Sequence, residues 1–186
     1  MRIAPRRAYA DYPDATFDEV LIWHVLEHLR EPRATLREAH RVLKPGGTLV
    51  VAVPNFSSAQ ARWAGSAWFH LDLPRHLHHF PLAGLRRMLD ETGFRYVSSH
   101  HFSLRQNPFG WIQSAANRNP VLPRNGLYTL LHDREDESGG RPFDAATRRR
   151  VLTQGALWAL PAAVLAVAEA VLRSGATVHV VARRAG

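Results

Sequence analysis

The sequence predicts an α/β domain, and three observations carry this prediction. A short apolar run, DEVLIW, is followed by an amphipathic helical pattern and then by TLVVAV, the most strand-like run in the chain. Two more strand-like runs, residues 94–102 and 176–183, lie farther along, each after a helical pattern. Strands that alternate with helices in this way are typical of a mainly parallel sheet with helices packed on it.

The first three elements form one β-α-β unit. Residues 18–23 are apolar enough for a strand that is buried on both faces. A helix is predicted to open at residues 31–33, where a proline in the first turn loses no hydrogen bond. It should end at Lys44-Pro45-Gly46-Gly47, because proline stops a helix and glycine permits the backbone to reverse. The helix would bury the apolar positions Leu36, Ala39, Val42 and Leu43.

The second half of the chain is less regular. A short helix over residues 82–89 is predicted to end at Gly93, before the strand 94–102. Residues 106–150 hold most of the turn signals, and we interpret them as an insertion or lid region. Its acidic stretch DREDESGG, residues 133–140, is predicted to be a mobile loop.

Residues 145–173 have a helical composition, and their apolar part, residues 155–172, precedes the last strand. This part has 18 residues, which is the lower limit for a membrane span, and it contains Pro161 and Glu169. We therefore predict a helix that packs on the sheet. A helix that lies on a membrane surface stays as an alternative, because Arg173, Arg183 and Arg184 flank its end.

Composition narrows the function classes. The chain of 186 residues is the length of one domain and lacks cysteine, which excludes structural disulfides, thiolate zinc sites and cysteine nucleophiles. The net charge of +8 comes from scattered arginines, a pattern that argues against nucleic-acid binding. No apolar segment follows the first arginines as in a secretory signal, so we expect a cytoplasmic protein.

The stretch FDEVLIWHVLEHLREP, followed by LREAHRVLKPGGTLVVAVPN, resembles the second half of the class I S-adenosylmethionine-dependent methyltransferase fold. The similarity continues through GSAWFHLDLPRHLHHF, residues 65–80, and through QNPFGWIQSAANR, residues 106–118. This is the pattern of a broad bacterial methyltransferase group that also resembles the ubiquinone-pathway O-methyltransferases. The resemblance extends over nearly the whole chain.

The resemblance implies a partial Rossmann-like methyltransferase sheet with flanking helices. Residues 17–23 match the fourth strand of that fold, 48–53 the fifth, 94–102 the sixth and 176–183 the antiparallel seventh. Residues 1–3 are at most a remnant of the third strand.

The sequence contains no G-x-G, so the glycine-rich loop that approaches the cofactor in this fold is missing together with the first two strands. We therefore expect a single truncated methyltransferase domain over residues 1–186, most simply a fragment of a longer protein in which Met1 is internal. The strand 18–23 would then be an apolar edge that invites pairing with another chain, and hence oligomerisation.

The resemblance also implies site residues. Trp23, His24 and Val25 would face the methionine end of S-adenosyl-L-methionine. Asn55, just after the fifth strand, lies where ligands bind in open α/β folds. His28 and Trp68 are predicted to contact the substrate.

His76 and His79, in PRHLHHF, are the predicted catalytic residues on the substrate side. A neutral histidine could remove a proton from a hydroxyl or amine as the methyl group moves. Two alternatives stay open for each: a role in positioning the reactants, and a purely structural histidine bonded to a backbone carbonyl.

The spacing His24-x-x-Glu27-His28 raises the hypothesis of a metal site. In the small-RNA 2′-O-methyltransferases an E-x-x-E-H motif and a distant histidine hold a divalent metal; here His24 replaces the first glutamate, and His76, His78 or His79 could be the fourth ligand. Such a set suits zinc better than magnesium. The alternative, which we prefer, is no metal, with the carboxylate of Glu27 holding its loop by backbone hydrogen bonds.

The function expected is S-adenosylmethionine-dependent methyl transfer to a small-molecule or lipid-linked acceptor, carried out by a longer intact protein. The alternative is a non-catalytic, degenerate domain that binds a partner through the exposed strand edge. A peripheral membrane contact is compatible with both. No sequence feature identifies the methyl acceptor or its reacting atom.

Overall fold

A four-stranded sheet in the order β1-β2-β4-β3 organises the chain. The computed structural model describes residues 11–132 and 143–185. Strands β1 and β2 are parallel, and β4 runs antiparallel to both of its neighbours, β2 and β3. This is the order and direction expected for strands four, five, seven and six. The strands are β1 (Phe17–Trp23), β2 (Leu43–Pro54), β3 (Phe94–His100) and β4 (Thr177–Arg184).

Within these described ranges, six α-helices connect and cover the strands. They are α1 (Pro32–Val42), α2 (Ala59–Ala64), α3 (Leu82–Glu91), α4 (Gln106–Asn117), α5 (Gly126–Leu131) and α6 (Ala145–Val171). Short 3-10 turns occur at Leu26–His28, Gly65–Ala67 and Phe69–Leu71. The predicted acidic loop at residues 133–140 and the predicted remnant at residues 1–3 lie outside the described residues.

The core lies on one face of the sheet, under α1 and α3. Leu36 of α1 and Leu85 and Leu89 of α3 are fully buried against the inward-pointing residues of the strands. Helix α1 begins with proline, as predicted, because the first-turn N–H has no partner within a helix. Gly46 has a φ of +75°, so the predicted backbone reversal occurs there, although pairing with β1 makes residues 43–47 part of β2.

The prediction that β1 is buried on both faces is wrong. Val20 and Ile22 point into the core, whereas Leu21 and Trp23 are 52% and 39% exposed on the opposite face. Burial of a strand depends on what covers each face, and no described helix covers this part of the second face. Among the described residues, β1 also pairs on one side only, with β2.

Helix α6 was predicted to pack on the sheet, and this is also wrong. It leads into β4 as expected, but it packs chiefly against α4 and α5. Ala162 and Ala166 of α6 lie against Trp111 of α4. Small residues on α6 allow this close approach between the two helices.

Candidate functional site

The carboxyl ends of three strands meet at one edge of the sheet. β3 is antiparallel to β4, so it runs in the same direction as β1 and β2, and all three end where β4 begins. Trp23 is in register with Ala52, Pro54 with Thr177, and His100 with His179. Side chains that follow the strands therefore converge, as ligand sites of open α/β folds require.

A tight turn after β1 brings His24 onto Glu27. His24 has a φ of +48°, a left-handed conformation that is strained for a residue with a side chain, and its N–H donates to the carbonyl of Ala52. This turn places His24 Nδ1 3.3 Å from Glu27 Oε1. Glu27 is 1% exposed. Strain that is held in place at a strand end is common where a protein positions a reactive group.

Glu27 ties this turn to the histidine-rich segment. Its backbone carbonyl accepts hydrogen bonds from the N–H groups of Leu77 and His78, at 2.8 and 3.2 Å. The interpretation without a metal predicts that the carboxylate of Glu27 holds the loop by backbone hydrogen bonds. Instead the backbone carbonyl does so, and the carboxylate is left to contact His24.

The predicted catalytic histidines lie together beside His28. The ring of His76 is 4.7 Å from that of His28 and 6.4 Å from that of His79, between centroids. The ring of Phe56 lies 5.5 Å from that of His79 and 6.0 Å from that of Trp68. Residues that are far apart in sequence thus form one cluster of aromatic and histidine rings, in which Trp68 and His76 are buried.

One ring nitrogen of each of these three histidines forms a hydrogen bond with a backbone carbonyl. His28 Nδ1 lies 2.9 Å from Arg75 O, His76 Nδ1 2.8 Å from His70 O, and His79 Nε2 2.9 Å from Leu71 O. A carbonyl oxygen only accepts, so the nitrogen that faces it must carry the proton. In the neutral ring the other nitrogen is then a free base. Each histidine is therefore bonded to a backbone carbonyl, as the structural alternative requires. The second nitrogen of each ring can still accept a proton.

Burial keeps the inner histidines neutral. It lowers the pKa of His76, and it lowers the pKa of His70, with help from His24 and His76, to about 3. A histidine whose pKa lies well below its usual range is uncharged at neutral pH. His70 was not predicted as a site residue.

Several buried polar atoms at this edge have no hydrogen-bond partner within the described part of the chain. They include His24 Nε2, Glu27 Oε2 and His70 Nε2, and also Thr177 Oγ1 and His179 Nε2 at the start of β4. A buried polar group without a partner costs about 1–3 kcal/mol, so proteins seldom tolerate several in one place. Water molecules or the polar groups of a ligand would satisfy these atoms.

The turn that was predicted to face the cofactor lies at the open face of the sheet. The ring of Trp23 stacks on that of His179, with 4.7 Å between centroids and an interplanar angle of 21°. Val25 packs at the margin of the core. Burial, and then the neighbouring His24, lowers the pKa of His179 to about 4. His179 was also missed, although an antiparallel last strand must begin at this edge.

Asn55 and Trp68 are buried, and their polar atoms are already bonded within the protein. Asn55 donates from Nδ2 to Gly175 O at 3.0 Å, and its Oδ1 accepts from Ser57 Oγ at 2.6 Å. Trp68 Nε1 donates to Gln60 Oε1 at 3.0 Å. A direct polar contact of either with substrate would require these bonds to break, and their substrate role stays a prediction.

The metal hypothesis has a partial geometric basis. Possible ligand atoms of Glu27, His28 and His76 all lie within 4.8 Å of one another. His24 joins this group only through its contact with Glu27, and the described geometry does not bring His78 or His79 into it. Two imidazoles and a carboxylate are ligands that zinc accepts.

The buried histidines predict a specific loss of stability in acid. A histidine of low folded-state pKa takes up a proton on unfolding, so its contribution is complete above the usual pKa of 6.5 and is lost as the pH falls towards 3 for His70. Replacing His70 by Gln should remove about 1.4 kcal/mol per pH unit from the slope of unfolding free energy between pH 6 and 4.

Urea titrations at several pH values would measure this slope. The matched control is His132→Gln, because His132 is exposed, hydrogen-bonds to the carbonyl of Tyr128 and stacks on its ring. An unchanged slope in His70→Gln would contradict the assignment of His70 as a buried neutral histidine.

Comparison with known protein families gives a match over residues 4–99, just over half of the chain, to a model described as a methyltransferase domain. A ubiquinone biosynthesis O-methyltransferase from Xanthomonas oryzae pv. oryzae is 37% identical over 67 residues, which are 35% of this chain and 28% of that protein. A probable S-adenosylmethionine-dependent methyltransferase from Mycolicibacterium smegmatis is 33% identical over 85 residues, 44% of this chain and 30% of that protein.

Solved structures share the fold over nearly the whole chain. The 4+2 cyclase SpnF has a TM-score of 0.51 at 22% identity, covering 94% of this chain and 52% of that one. An S-adenosylmethionine-dependent methyltransferase from Archaeoglobus fulgidus has a TM-score of 0.50 at 16% identity, covering 96% of this chain and 64% of that one. The chain therefore spans only part of the relatives and structures that it matches.

Proposed function

Because this chain belongs to the class I S-adenosylmethionine-dependent methyltransferase family, we propose that the intact protein transfers a methyl group to a nucleophile on a small or lipid-linked molecule. The cofactor of this family is S-adenosyl-L-methionine. The observation that carries the proposal is the convergence of the strained His24 turn with His76 and His79 at the strand-end edge. The relatives' names favour an oxygen nucleophile as the first acceptor to test.

The described residues fit one wall of a cofactor site. The turn Trp23-His24-Val25 lies at the end of β1, beside the open face of the sheet, and His24 Nε2 is a buried atom still in need of a polar partner. Bound against this wall, S-adenosylmethionine would supply an electrophilic methyl group. No G-x-G loop is present in the sequence to form the opposite wall.

The histidines would accept the proton that the acceptor hydroxyl loses during methyl transfer. His79 donates from Nε2 to Leu71 O, so its Nδ1 is the nitrogen that can take a proton from an acceptor hydroxyl. The pKa of His76 is lowered by burial, so it is neutral at pH 7 and available for the same role. The exposed ring of Phe56, which lies beside His79 and against the buried ring of Trp68, would hold an aromatic or apolar acceptor in place.

Variants made in the intact natural protein test these roles. His79→Gln is expected to lower kcat for methyl transfer to a catechol by about 100-fold, since a general base contributes at least that much. Binding of S-adenosylhomocysteine, measured by calorimetry, should be unchanged, because His79 would act on the acceptor and not on the cofactor. His132→Gln, an exposed histidine outside the site, should leave both quantities unaltered.

Equal kcat values for His79→Gln and His132→Gln would exclude His79 as the base. Failure of the natural protein to bind S-adenosylhomocysteine would contradict the methyl-transfer proposal as a whole.

A partner-binding domain without activity is the second candidate, and one observation favours it. The outer edge of β1 is unpaired within the described residues, and Leu21 and Trp23 are exposed beside it. Such an edge readily accepts another strand. A stable complex that buries β1, together with no affinity for S-adenosylhomocysteine, would favour this candidate over catalysis.

A further inference from the structure

Helix α6 has a broad apolar side that no described residue covers. Its buried side is narrow and consists mainly of small residues, including Gly155, Ala162 and Ala166. From Leu152 onward, Thr153 is the only polar residue on the exposed side, which extends over more than half of the circumference. The large apolar side chains exposed there are Leu152, Leu157, Leu160, Val164, Val167 and Val171.

The packing of α6 argues against a membrane span. By length and composition this helix of 27 residues could cross a bilayer, and 22% of its most apolar window is buried. Its buried side, however, contacts the rest of the domain along its length. Gly155 lies against Leu127, Ala162 and Ala166 lie against Trp111, and Glu169 accepts a hydrogen bond from Trp111 Nε1 at 3.1 Å. A helix held in this way is placed to lie along a membrane rather than to cross it.

The charges around this side favour an anionic lipid surface over a second copy of the chain as its binding partner. Arg149 and Arg150 are exposed near the start of the helix, and Arg173 is exposed just after its end. The single acidic residue within α6, Glu169, is on the buried side. If two copies met through these faces, arginines would lie opposite arginines in either orientation, because both ends are basic. An anionic lipid surface complements both ends.

Two tryptophans lie at one border of this side. The ring of Trp158 lies 5.6 Å from that of Trp63, and the guanidinium of Arg118 lies 4.5 Å above the ring of Trp63. Tryptophan prefers the boundary between lipid headgroups and hydrocarbon, where one part of the ring is apolar and the N–H stays in a polar environment. This pair would sit at that boundary when α6 lies in the membrane plane.

We propose that this protein docks on anionic lipid membranes through the exposed apolar side of α6, with the helix, about 40 Å long, lying parallel to the surface. The anionic leaflet agrees with the cytoplasmic location predicted from the sequence. Docking needs neither cofactor nor acceptor, so the failure of this proposal would leave the methyl-transfer proposal standing. If both hold, α6 brings the strand-end site to lipid-linked acceptors.

Vesicle flotation with the full chain tests the proposal. Binding to vesicles of equal parts phosphatidylcholine and phosphatidylglycerol should be at least about tenfold stronger than to phosphatidylcholine alone, and it should weaken with salt. Leu160, 75% exposed at the centre of the apolar side, is the residue to change. Leu160→Glu should reduce binding at least about tenfold. Val97→Glu makes the same charge change at an exposed site on β3 and should bind as the unchanged protein does.

Three outcomes would overturn the proposal. The first is equal binding by Leu160→Glu and Val97→Glu. The second is retention in the membrane pellet after an alkaline wash, which would indicate a spanning helix. The third is that the unchanged protein does not bind vesicles and sediments as an oligomer, whereas Leu160→Glu sediments as a monomer. This result would make the apolar side a contact between copies of the chain. A blue shift of tryptophan emission on vesicle binding, from Trp63 and Trp158, would support the docking geometry.

Discussion

Changing Gly175 to alanine is expected to lower the free energy of unfolding by more than about 3 kcal/mol, because no space exists for the added carbon. Its Cβ would lie 1.8 Å from the backbone oxygen of His101 and 2.9 Å from Asn107 Nδ2. A backbone atom cannot rotate away as a side chain can, so β3 and β4 would have to separate. The carbonyl of Gly175 also accepts from Asn55, so the strand-end edge would be disturbed as well.

The matched control is Gly84→Ala in α3. There the added Cβ meets only the ring of Pro81, at 3.2 Å from Cγ and 3.5 Å from Cδ, and alanine is favoured over glycine within a helix by about 0.5–1 kcal/mol. Urea unfolding followed by tryptophan fluorescence should place this variant within about 1 kcal/mol of the unchanged protein. Similar stabilities for the two variants would contradict the close approach at Gly175.

Replacing Glu169 by alanine is expected to lower the free energy of unfolding by about 3 kcal/mol at pH 5. Its carboxyl accepts from Trp111 Nε1 at 3.1 Å and from the N–H of Ala176 at 3.2 Å, which joins α6 to α4 and to the start of β4. Alanine would leave both buried donors without a partner, at about 1–3 kcal/mol each, and would open a cavity.

The loss in free energy of unfolding caused by Glu169→Ala should be smaller at pH 8 than at pH 5. Burial raises the pKa of Glu169 from 4.5 to about 7, so the carboxyl stays protonated in the folded protein while it is ionised in the unfolded chain. Its contribution to stability is therefore complete below pH 4.5 and decreases as the pH rises through 7. Glu91→Ala, at an exposed ion pair with Arg33, should change stability by less than about 1 kcal/mol at both pH values. A cost for Glu169→Ala that is the same at pH 5 and pH 8 would contradict the raised pKa.

Most of the topology was predictable from the sequence. The apolar runs, the proline at the start of α1 and the glycine at residue 93 indicated where strands and helices begin and end, because these signals are local. The resemblance to methyltransferases supplied the strand order, which spacing alone does not determine. Strand β3 ends at His100, two residues earlier than predicted.

The candidate site was predictable in part. The histidines of PRHLHHF and those after β1 were identified, but their contacts were not. His70 and His179 were missed because a lone histidine in a sequence carries no signal of its burial, which neighbours distant along the chain decide.

The sequence by itself determined the elements of this protein, the family to which it belongs and the edge of the sheet where its polar residues gather, because periodicity, caps and motifs are written in consecutive residues. Only the tertiary structure decided which ring nitrogen of each histidine is free, which face of β1 is open and which side of α6 is exposed. Each of these depends on contacts between residues far apart in the chain, such as His76 with His70 O or Ala162 with Trp111. Burial and hydrogen bonding are properties of those contacts, so no local pattern specifies them.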